Sequence, residues 1–397
     1  MTASGERADL TILMSAVEPS GDALGAALMS SLREKTDRKL TFIGCGGAAM
    51  ARKGFKSAFP VNAFSVIGPV GALRAAPAAM KATNRLARLA ADENAAAAVL
   101  IDAWSFSHMA AKKIAARAPE TMLLKYVAPQ VWASRAHRAR DLAQLFDGVV
   151  TLFAFENSFF DTEDISVAFG GHPGFQAAAR PRSAALEFRA VHNLGERPLL
   201  AVALGSRAGE ITRHAAPFRE AVARVYTEHP DIRVVAPLAP GTEDRVRATM
   251  RGWPGEPIFV SATRRFDAFA AADAALAASG TITTELAINR TPMAVAYKVH
   301  PLTAYWVRQV IKTPYISLIN IAANAPIIPE FLQEACAPEA IAAELSALLA
   351  DPARREAQIS AFAPVLADLG IGGPPAATRA AEAILAWIEQ KEGRGGN

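Results

Sequence analysis

Asp102 follows the apolar run Val99-Leu100-Ile101 and precedes Ala103-Trp104-Ser105-Phe106-Ser107-His108. A carboxylate at the end of a buried strand costs desolvation energy unless it is paired or used. That position suits a general base. His108, a turn further on, reads as a cap or a surface residue. A second candidate is Arg207 in Gly205-Ser206-Arg207, after the apolar run 199–204. A guanidinium at a glycine-flanked strand end is well placed for a diphosphate. The third lies in residues 273–299. A small apolar run, 274–278, is broken by Ser279-Gly280-Thr281, and a helical pattern resumes at Thr283-Thr284-Glu285-Leu286-Ala287. Free N–H groups at the helix start, a glycine and two hydroxyls make an anion site. Glu285, one turn in, disfavours phosphate but can accept hydrogen bonds from a ribose diol. The bland alternative is an ordinary βα turn with Ser279 or Thr281 as N-cap.

Those residues need strands to deliver them. Residues 10–14 read as the first buried strand, running into Ser15-Ala16-Val17-Glu18-Pro19-Ser20-Gly21-Asp22 and then a helix from about 23 to 34. Ligands of open parallel sheets gather at such strand ends, so Glu18, Ser20 and Asp22 face a cleft, or Ser20 and Asp22 only cap the helix. Further strands are expected at 40–43, 99–101, 123–127 and 149–152, and residues 167–170 lead to Gly171-His172-Pro173 at the end of the first domain. A second series follows at 199–204, 232–236, 257–260, 274–278 and 293–297. Strand and helix alternate in both series, which predicts an α/β chain with two Rossmann-like domains. The expected organisation is a domain over 1–175, a linker over 176–198, and a second domain over 199–368. A helix within 369–397 is expected to pack back on the first domain.

Length, charge and cysteine usage limit the function. A chain of 397 residues supports two cores. It has no apolar run of spanning length, since the nearest, 314–329, is broken by Asn320, Asn324 and Pro326. No secretory signal opens it, so cytoplasmic residence is expected. Cys45 and Cys336 lie far apart, with neither disulfide nor metal-ligand spacing. The net charge of +4 conceals an asymmetry: residues 38–91 contain no Asp or Glu but hold Arg38, Lys39, Arg52, Lys53, Lys56, Arg74, Lys81, Arg85 and Arg88. A one-sign stretch attracts anionic lipid or phosphorylated substrates, and no nucleic-acid module accompanies it. Residues 64–73 present Phe64, Val66, Ile67 and Leu73 as an apolar loop, followed by an amphipathic helix over 77–91 with Lys81, Arg85 and Arg88 on one face. Together they fit a peripheral membrane contact, against the alternative of a core helix with a solvated basic face. Arg135, in Arg135-Ala136-His137-Arg138-Ala139-Arg140, opposes a helix dipole and implies an anionic partner.

Gly44-Cys45-Gly46-Gly47-Ala48-Ala49 matches G-x-G-x-x-A, which invites a dinucleotide reading. It follows the second strand rather than the first, and no acid to hold a ribose lies within the next forty positions. The glycines therefore read as close packing, and nicotinamide chemistry is the weakest alternative.

Taken in series, S-A-V-E-P-S-G-D, G-C-G-G-A-A-M, I-D-A-W-S-F, Y-V-A-P-Q-V-W-A-S-R, G-H-P, G-S-R-x-x-E-I, S-G-T-x-x-x-E, Y-K and L-I-N…P-E-F-L-Q resemble the lipid-A-disaccharide synthase family, over about residues 10–333. The resemblance implies a B-type glycosyltransferase fold, two Rossmann-like domains facing a cleft. It implies inverting, metal-independent transfer of diacylglucosamine from UDP-diacylglucosamine to the C6 hydroxyl of diacylglucosamine 1-phosphate. No cofactor is implied. By position, Asp102 matches the family's catalytic aspartate and Arg207 its donor-phosphate arginine. Gly205, Ser206, Ser279, Gly280, Thr281, Glu285, Asn320, Glu330 and Gln333 fall on the nucleotide side. Glu18, Ser20, Gly21, Asp22 and Arg135 fall on the acceptor side. The chain departs from the family pattern at Val17, at Trp104-Ser105-Phe106, at Leu204 and at Ile319. The expected partners are the two glycolipid substrates and the cytoplasmic face of the inner membrane, with no nucleic acid and a homodimer left open. The alternatives are another UDP-sugar enzyme of this fold, transferase or epimerase, and a non-catalytic paralogue that binds nucleotide sugar or lipid. Asp102 favours an enzyme, and the basic segment favours a lipid acceptor over an epimerase.

Overall fold

The computed structural model describes residues 9–61, 69–129, 137–300 and 313–395. Backbone contacts divide the chain into two units, residues 1–173 with 373–397, and residues 174–372.

The first unit is built on β1 (Leu10–Ala16), β2 (Leu40–Cys45), β3 (Ala97–Ile101), β4 (Met122–Tyr126), β5 (Gly148–Thr151) and β6 (Ser166–Phe169). Their order is β2-β1-β3-β4-β5-β6, and every pair is parallel. Strands of a parallel sheet are covered on both faces, which explains runs of continuous rather than alternating hydrophobicity. Leu13, Leu100, Leu123 and Val149 face one layer with Leu86, Ala110, Ile114 and Leu142. Ile12, Met14, Val99, Leu124 and Val150 face the other with Leu28, Met29, Ala381 and Ile384. The last of these residues belong to the helix Ala376–Gly395, which lies beside the helix Pro19–Lys35. The ion pairs Lys35–Glu382 and Arg38–Glu392 also tie that terminal helix to the unit.

The second unit repeats the plan with β7 (Leu199–Ala203), β8 (Arg233–Pro237), β9 (Ile258–Val260), β10 (Ala274–Ala277), β11 (Met293–Tyr297) and β12 (Glu330–Leu332). The order is β12-β11-β10-β7-β8-β9, again with every pair parallel. Leu200, Val202, Val234, Leu276 and Ala294 pack on Phe218, Val222, Val225, Ile341 and Leu345.

Three expectations change. The first helix begins at Pro19 with Glu18 as its N-cap, so Ser20, Gly21 and Asp22 lie inside its first turn. Proline pre-sets the first helical residue, which starts the helix four residues early. The helix expected from 77 begins at Pro69 and runs to Asp92, with Pro77 inside it. Pro77 is exposed, where water can make good the lost helical bond. The stretch 176–198, expected as a linker, carries the helix Arg182–Val191, which buries Phe188 and adjoins the helix Arg265–Ala271 of the second unit. No helix among the described residues is long and apolar enough to cross a membrane.

Candidate active site

In each sheet the first strand is flanked by strands reached in opposite directions along the order. β1 lies between β2 and β3, and β7 between β8 and β10. Ligands of open α/β sheets bind at the carboxyl ends of such switch points. The candidate residues collect at these two places, one in each unit.

In the first unit Ala16 is level with Ile101, so β1 delivers Glu18 and Ser20 beside Asp102 at the end of β3. A Cβ at Gly21 would lie 3.5 Å from the Ile101 carbonyl oxygen, in ordinary contact, so the helix start packs on the same strand end. Ser20 Oγ donates to Asp102 Oδ2 at 3.3 Å. Asp102 and Ala103 both sit in the left-handed region, with φ of 52° and 39°, and Val127 at the end of β4 has φ 76°. Non-glycine residues held there store about 1–3 kcal/mol each, a cost that concentrates at functional sites. Burial, and next the negative charge of Asp102, raise the carboxyl of Glu18 above its ordinary value, against the pull of Lys125.

Asp22 has another duty. Its carboxylate accepts from the backbone N–H of Gly47, Ala49 and Met50 at 2.7–3.1 Å and is buried. It binds the glycine turn after β2 and holds it against the start of the helix Pro19–Lys35. Gly44, at φ 118°, packs closely: its Cβ would fall 2.1 Å from the Met14 carbonyl oxygen. This glycine lets β2 lie against β1.

In the second unit Gly205, at φ 114°, turns the chain after β7 into the helix Ala208–Glu228. Glu210 organises the turn. It is buried and accepts from Ser206 N at 3.0 Å, Arg207 N at 3.2 Å, Arg207 Nη1 at 2.9 Å and Tyr297 Oη at 3.2 Å. Burial alone would raise its carboxyl, but the amides of Ser206 and Arg207 and the guanidinium prevail and hold it below the ordinary value. Arg207 is left 80% exposed, fixed at one end and open at the other. His214 adds a second brace. Nδ1 bonds the Leu204 carbonyl at 2.8 Å while Nε2 accepts from Lys298 N at 3.0 Å, so the ring is neutral and joins the ends of β7 and β11.

Ser279 follows β10, and Gly280, at φ 138°, caps the helix Thr281–Ile288 with open space around its Cα. A side chain there would be strained, and the helix amides beyond it are open to approach. Ser279 Oγ donates to Ile316 O at 2.8 Å. Glu285 is held on both oxygens by Arg265, at 2.9 and 2.8 Å. Its remaining lone pairs are what a ribose diol would share. Asn320 is fully buried. Its amide bonds Ile328 N and O, both at 2.8 Å, and donates to Glu330 at 2.9 Å. Glu330 also accepts from Ile316 N, Ser317 N and Ser317 Oγ. Gln333 Oε1 accepts from Val299 N at 3.2 Å. Asn320 and Glu330 thus knit the 316–330 loop together, with Asn320 fully buried inside it.

Lys81, Arg85 and Arg88 are exposed on the helix Pro69–Asp92, opposite the buried Ala82, Leu86, Ala87 and Ala90. Arg38 and Lys39 are paired with Glu392 and Asp9, while Arg52, Lys53 and Lys56 are also exposed. Arg135, Phe64 and Ile67 lie outside the described residues. Among the described residues no group of three or more His, Cys, Asp or Glu is placed to hold a metal ion.

Sequence reasoning left the bracing residues without roles: Lys125, Glu210, Tyr297, His214 and Arg265. A lysine inside the run Met122-Leu123-Leu124-Lys125-Tyr126 is the one signal that a buried strand carries a polar group for a reason.

Two parallel six-stranded sheets, each with its motifs at the switch point, define a glycosyltransferase fold of the B type. Solved structures of that architecture align with the whole chain. A putative UDP-N-acetylglucosamine 2-epimerase from Listeria monocytogenes has TM-score 0.63 at 13% identity, covering 98% of each chain. The calicheamicin glycosyltransferase CalG4 has TM-score 0.57 at 15% identity, covering 97% of this chain and 99% of that one. Sequence relationships are closer. The family model of lipid-A-disaccharide synthetase matches residues 12–368. The lipid-A-disaccharide synthase of Rhodospirillum centenum is 35% identical over 384 residues, 96% of each chain, and that of Ruegeria pomeroyi is 38% identical over 391 residues, 95% of each. The chain belongs to the lipid-A-disaccharide synthetase family. It is a hexosyltransferase that moves 2,3-diacylglucosamine from its UDP donor onto 2,3-diacylglucosamine 1-phosphate, forming a β-1,6-linked disaccharide 1-phosphate and UDP.

Proposed function

We propose that Asp102 is the general base of this transfer, that Arg207 and the helix start at Gly280 receive the departing UDP, and that the Lys81–Arg85–Arg88 face meets anionic lipid. The observation that carries the reading is the coincidence of each cluster with the switch point of its own sheet. Asp102 takes the proton of the acceptor C6 hydroxyl as that oxygen attacks C1 of the donor sugar, inverting it. Ser20 orients the carboxylate. Charge accumulates on the diphosphate as the C1–O bond breaks. The exposed guanidinium of Arg207 and the first amides of the helix Thr281–Ile288 are fixed donors for it, and a site already organised stabilises that charge without reorganising. Glu285 and Arg265 together hold the ribose end. Gly205 and Ser206 supply the turn, and Gln333 and Glu330 keep the neighbouring loop in place. The protein works in the cytoplasm, peripherally attached to the inner membrane through its basic helix face.

Product formation from UDP-diacylglucosamine and diacylglucosamine 1-phosphate, in detergent with EDTA, tests this assignment. Wild type should release UDP with disaccharide 1-phosphate. Arg207→Ala should lose about 10²-fold or more in kcat/KM for the donor, in line with removal of a transition-state charge donor. An Arg207→Ala enzyme with wild-type kcat/KM would remove the donor-side assignment.

A further inference from the structure

Lys125 sits in the fourth strand of the first sheet and is fully buried, 1% exposed. Lysine is almost never buried unless paired, because the ammonium is strongly hydrated. Here Nζ donates to Asp102 O at 2.5 Å, Leu100 O at 3.2 Å and Tyr126 O at 3.4 Å, with Ser107 Oγ at 3.5 Å. Ser107 Oγ itself donates to Asp102 O at 2.7 Å. Four oxygen acceptors converge on one nitrogen. An ammonium has three donors and no lone pair, so this cage fits its charged form. Two of the acceptors, Leu100 O and Asp102 O, flank the point where β3 ends. The cage encloses the segment in which Asp102 and Ala103 are forced into left-handed backbone, beside Val127 in the same condition.

We propose that Lys125 is a positioning residue for the transfer. Its ammonium clamps the strained end of β3 so that the Asp102 carboxylate stands at the switch point. The proposal rests on Asp102 being the base. Lys125 touches no substrate; it acts through Asp102. The charged groups acting on Lys125 are Asp102, at the end of β3, and Glu18, at the N-cap of the helix after β1; the helix after β3 contributes the neutral Ser107. Burial pulls its ammonium down to about 7, and those two carboxylates act in the opposite sense. The same coupling appears from the other side, where Lys125 favours the ionised form of Glu18. On this account the enzyme loses rate as the ammonium deprotonates toward alkaline pH, because the cage then lacks a donor.

The test compares wild type with Lys125→Met, which keeps the length and loses the charge, and Lys125→Arg, which keeps the charge. Single-turnover rates are measured across pH with both substrates saturating. Lys125→Met should slow the chemical step by about tenfold or more, as expected for a misplaced catalytic group, with donor KM unchanged. Its alkaline limb should vanish, because no ammonium is left to deprotonate. Lys125→Arg, which stays charged throughout, should retain more of the rate than Lys125→Met and also lack the alkaline limb. A folded Lys125→Met enzyme with the wild-type pH profile would overturn the proposal.

Should Lys125→Met not fold, lysine labelled with 13C at Cε reports on the intact protein. The resonance missing from Lys125→Arg identifies the residue. Its midpoint should fall in Asp102→Asn and in Glu18→Gln, since each removes a stabilising negative charge. A midpoint unmoved in both variants would equally overturn the proposal. The titration reads the coupling whether or not Asp102→Asn retains activity, so failure of the base assignment is seen separately.

Discussion

Glu210 offers a demanding quantitative test of the second-unit architecture. Replacing it with Gln preserves its shape, removes its charge and turns two N–H groups toward a site that already holds four donors. Those donors are Ser206 N, Arg207 N, Arg207 Nη1 and Tyr297 Oη. The glutamine oxygen can satisfy two of them, leaving two without an acceptor. A hydrogen bond to a charged group contributes about 1.5–3 kcal/mol, so loss of two, offset by relaxation, destabilises by about 3 kcal/mol. For a unit of about 200 residues that corresponds to a fall in Tm of roughly 6–12 °C. The pH dependence has a definite sign. The carboxyl of Glu210 is held below its ordinary value, so its contribution is fully present above the ordinary carboxylate range and is lost as pH falls through the folded-state value. The Tm gap between wild type and Glu210→Gln should therefore be full at pH 7 and narrow as the pH falls below the ordinary carboxylate range. Scanning calorimetry over pH 3.5–8 reads it directly (range chosen about the ordinary carboxylate value of roughly 4.3). A variant melting within about 2 °C of wild type at pH 7, where this arithmetic requires several degrees, would refute the reasoning.

Two further outcomes follow. Asp22→Ala should destabilise the first unit by about 2–4 kcal/mol, because three amides lose a charged acceptor, while leaving donor KM unchanged; a stable variant with a raised acceptor KM would instead return Asp22 to the substrate. Replacing Lys81, Arg85 and Arg88 together with Ser should weaken sedimentation with anionic vesicles, at about 1 kcal/mol for each charge near the surface. Unchanged binding would sink the membrane contact.

The sheets were legible because buried parallel strands are short and apolar between turn residues; 99–101 and 199–204 announce themselves this way. Asp102 and Arg207 were legible for the complementary reason, being charges stranded at the ends of such runs. What sequence does not reveal is the partner. Asp22 has the type and spacing of a ligand residue, yet the amides it meets come from its own chain, 25–28 residues further on. Asn320 likewise spends its amide on Ile328 and Glu330. Glu285 meets Arg265, whose nearness depends on how the helix Arg265–Ala271 packs. The helix Arg182–Val191 was hidden in an alanine-rich, proline-bounded stretch whose buried Phe188 is easily passed over. Lys125 was hidden in plain view: its strand reads as apolar, and the oxygen cage around it is assembled from backbone carbonyls that carry no sequence signal.

The most direct test of the central claim is the single-turnover rate of Asp102→Asn with both substrates saturating, beside its affinity for UDP. If Asp102 is the base, the rate should fall by about 10²–10⁴-fold, the usual contribution of a positioned acid or base, with UDP binding and Tm close to wild type. A folded Asp102→Asn enzyme that makes the disaccharide within about tenfold of the wild-type rate, well short of that contribution, would contradict the account.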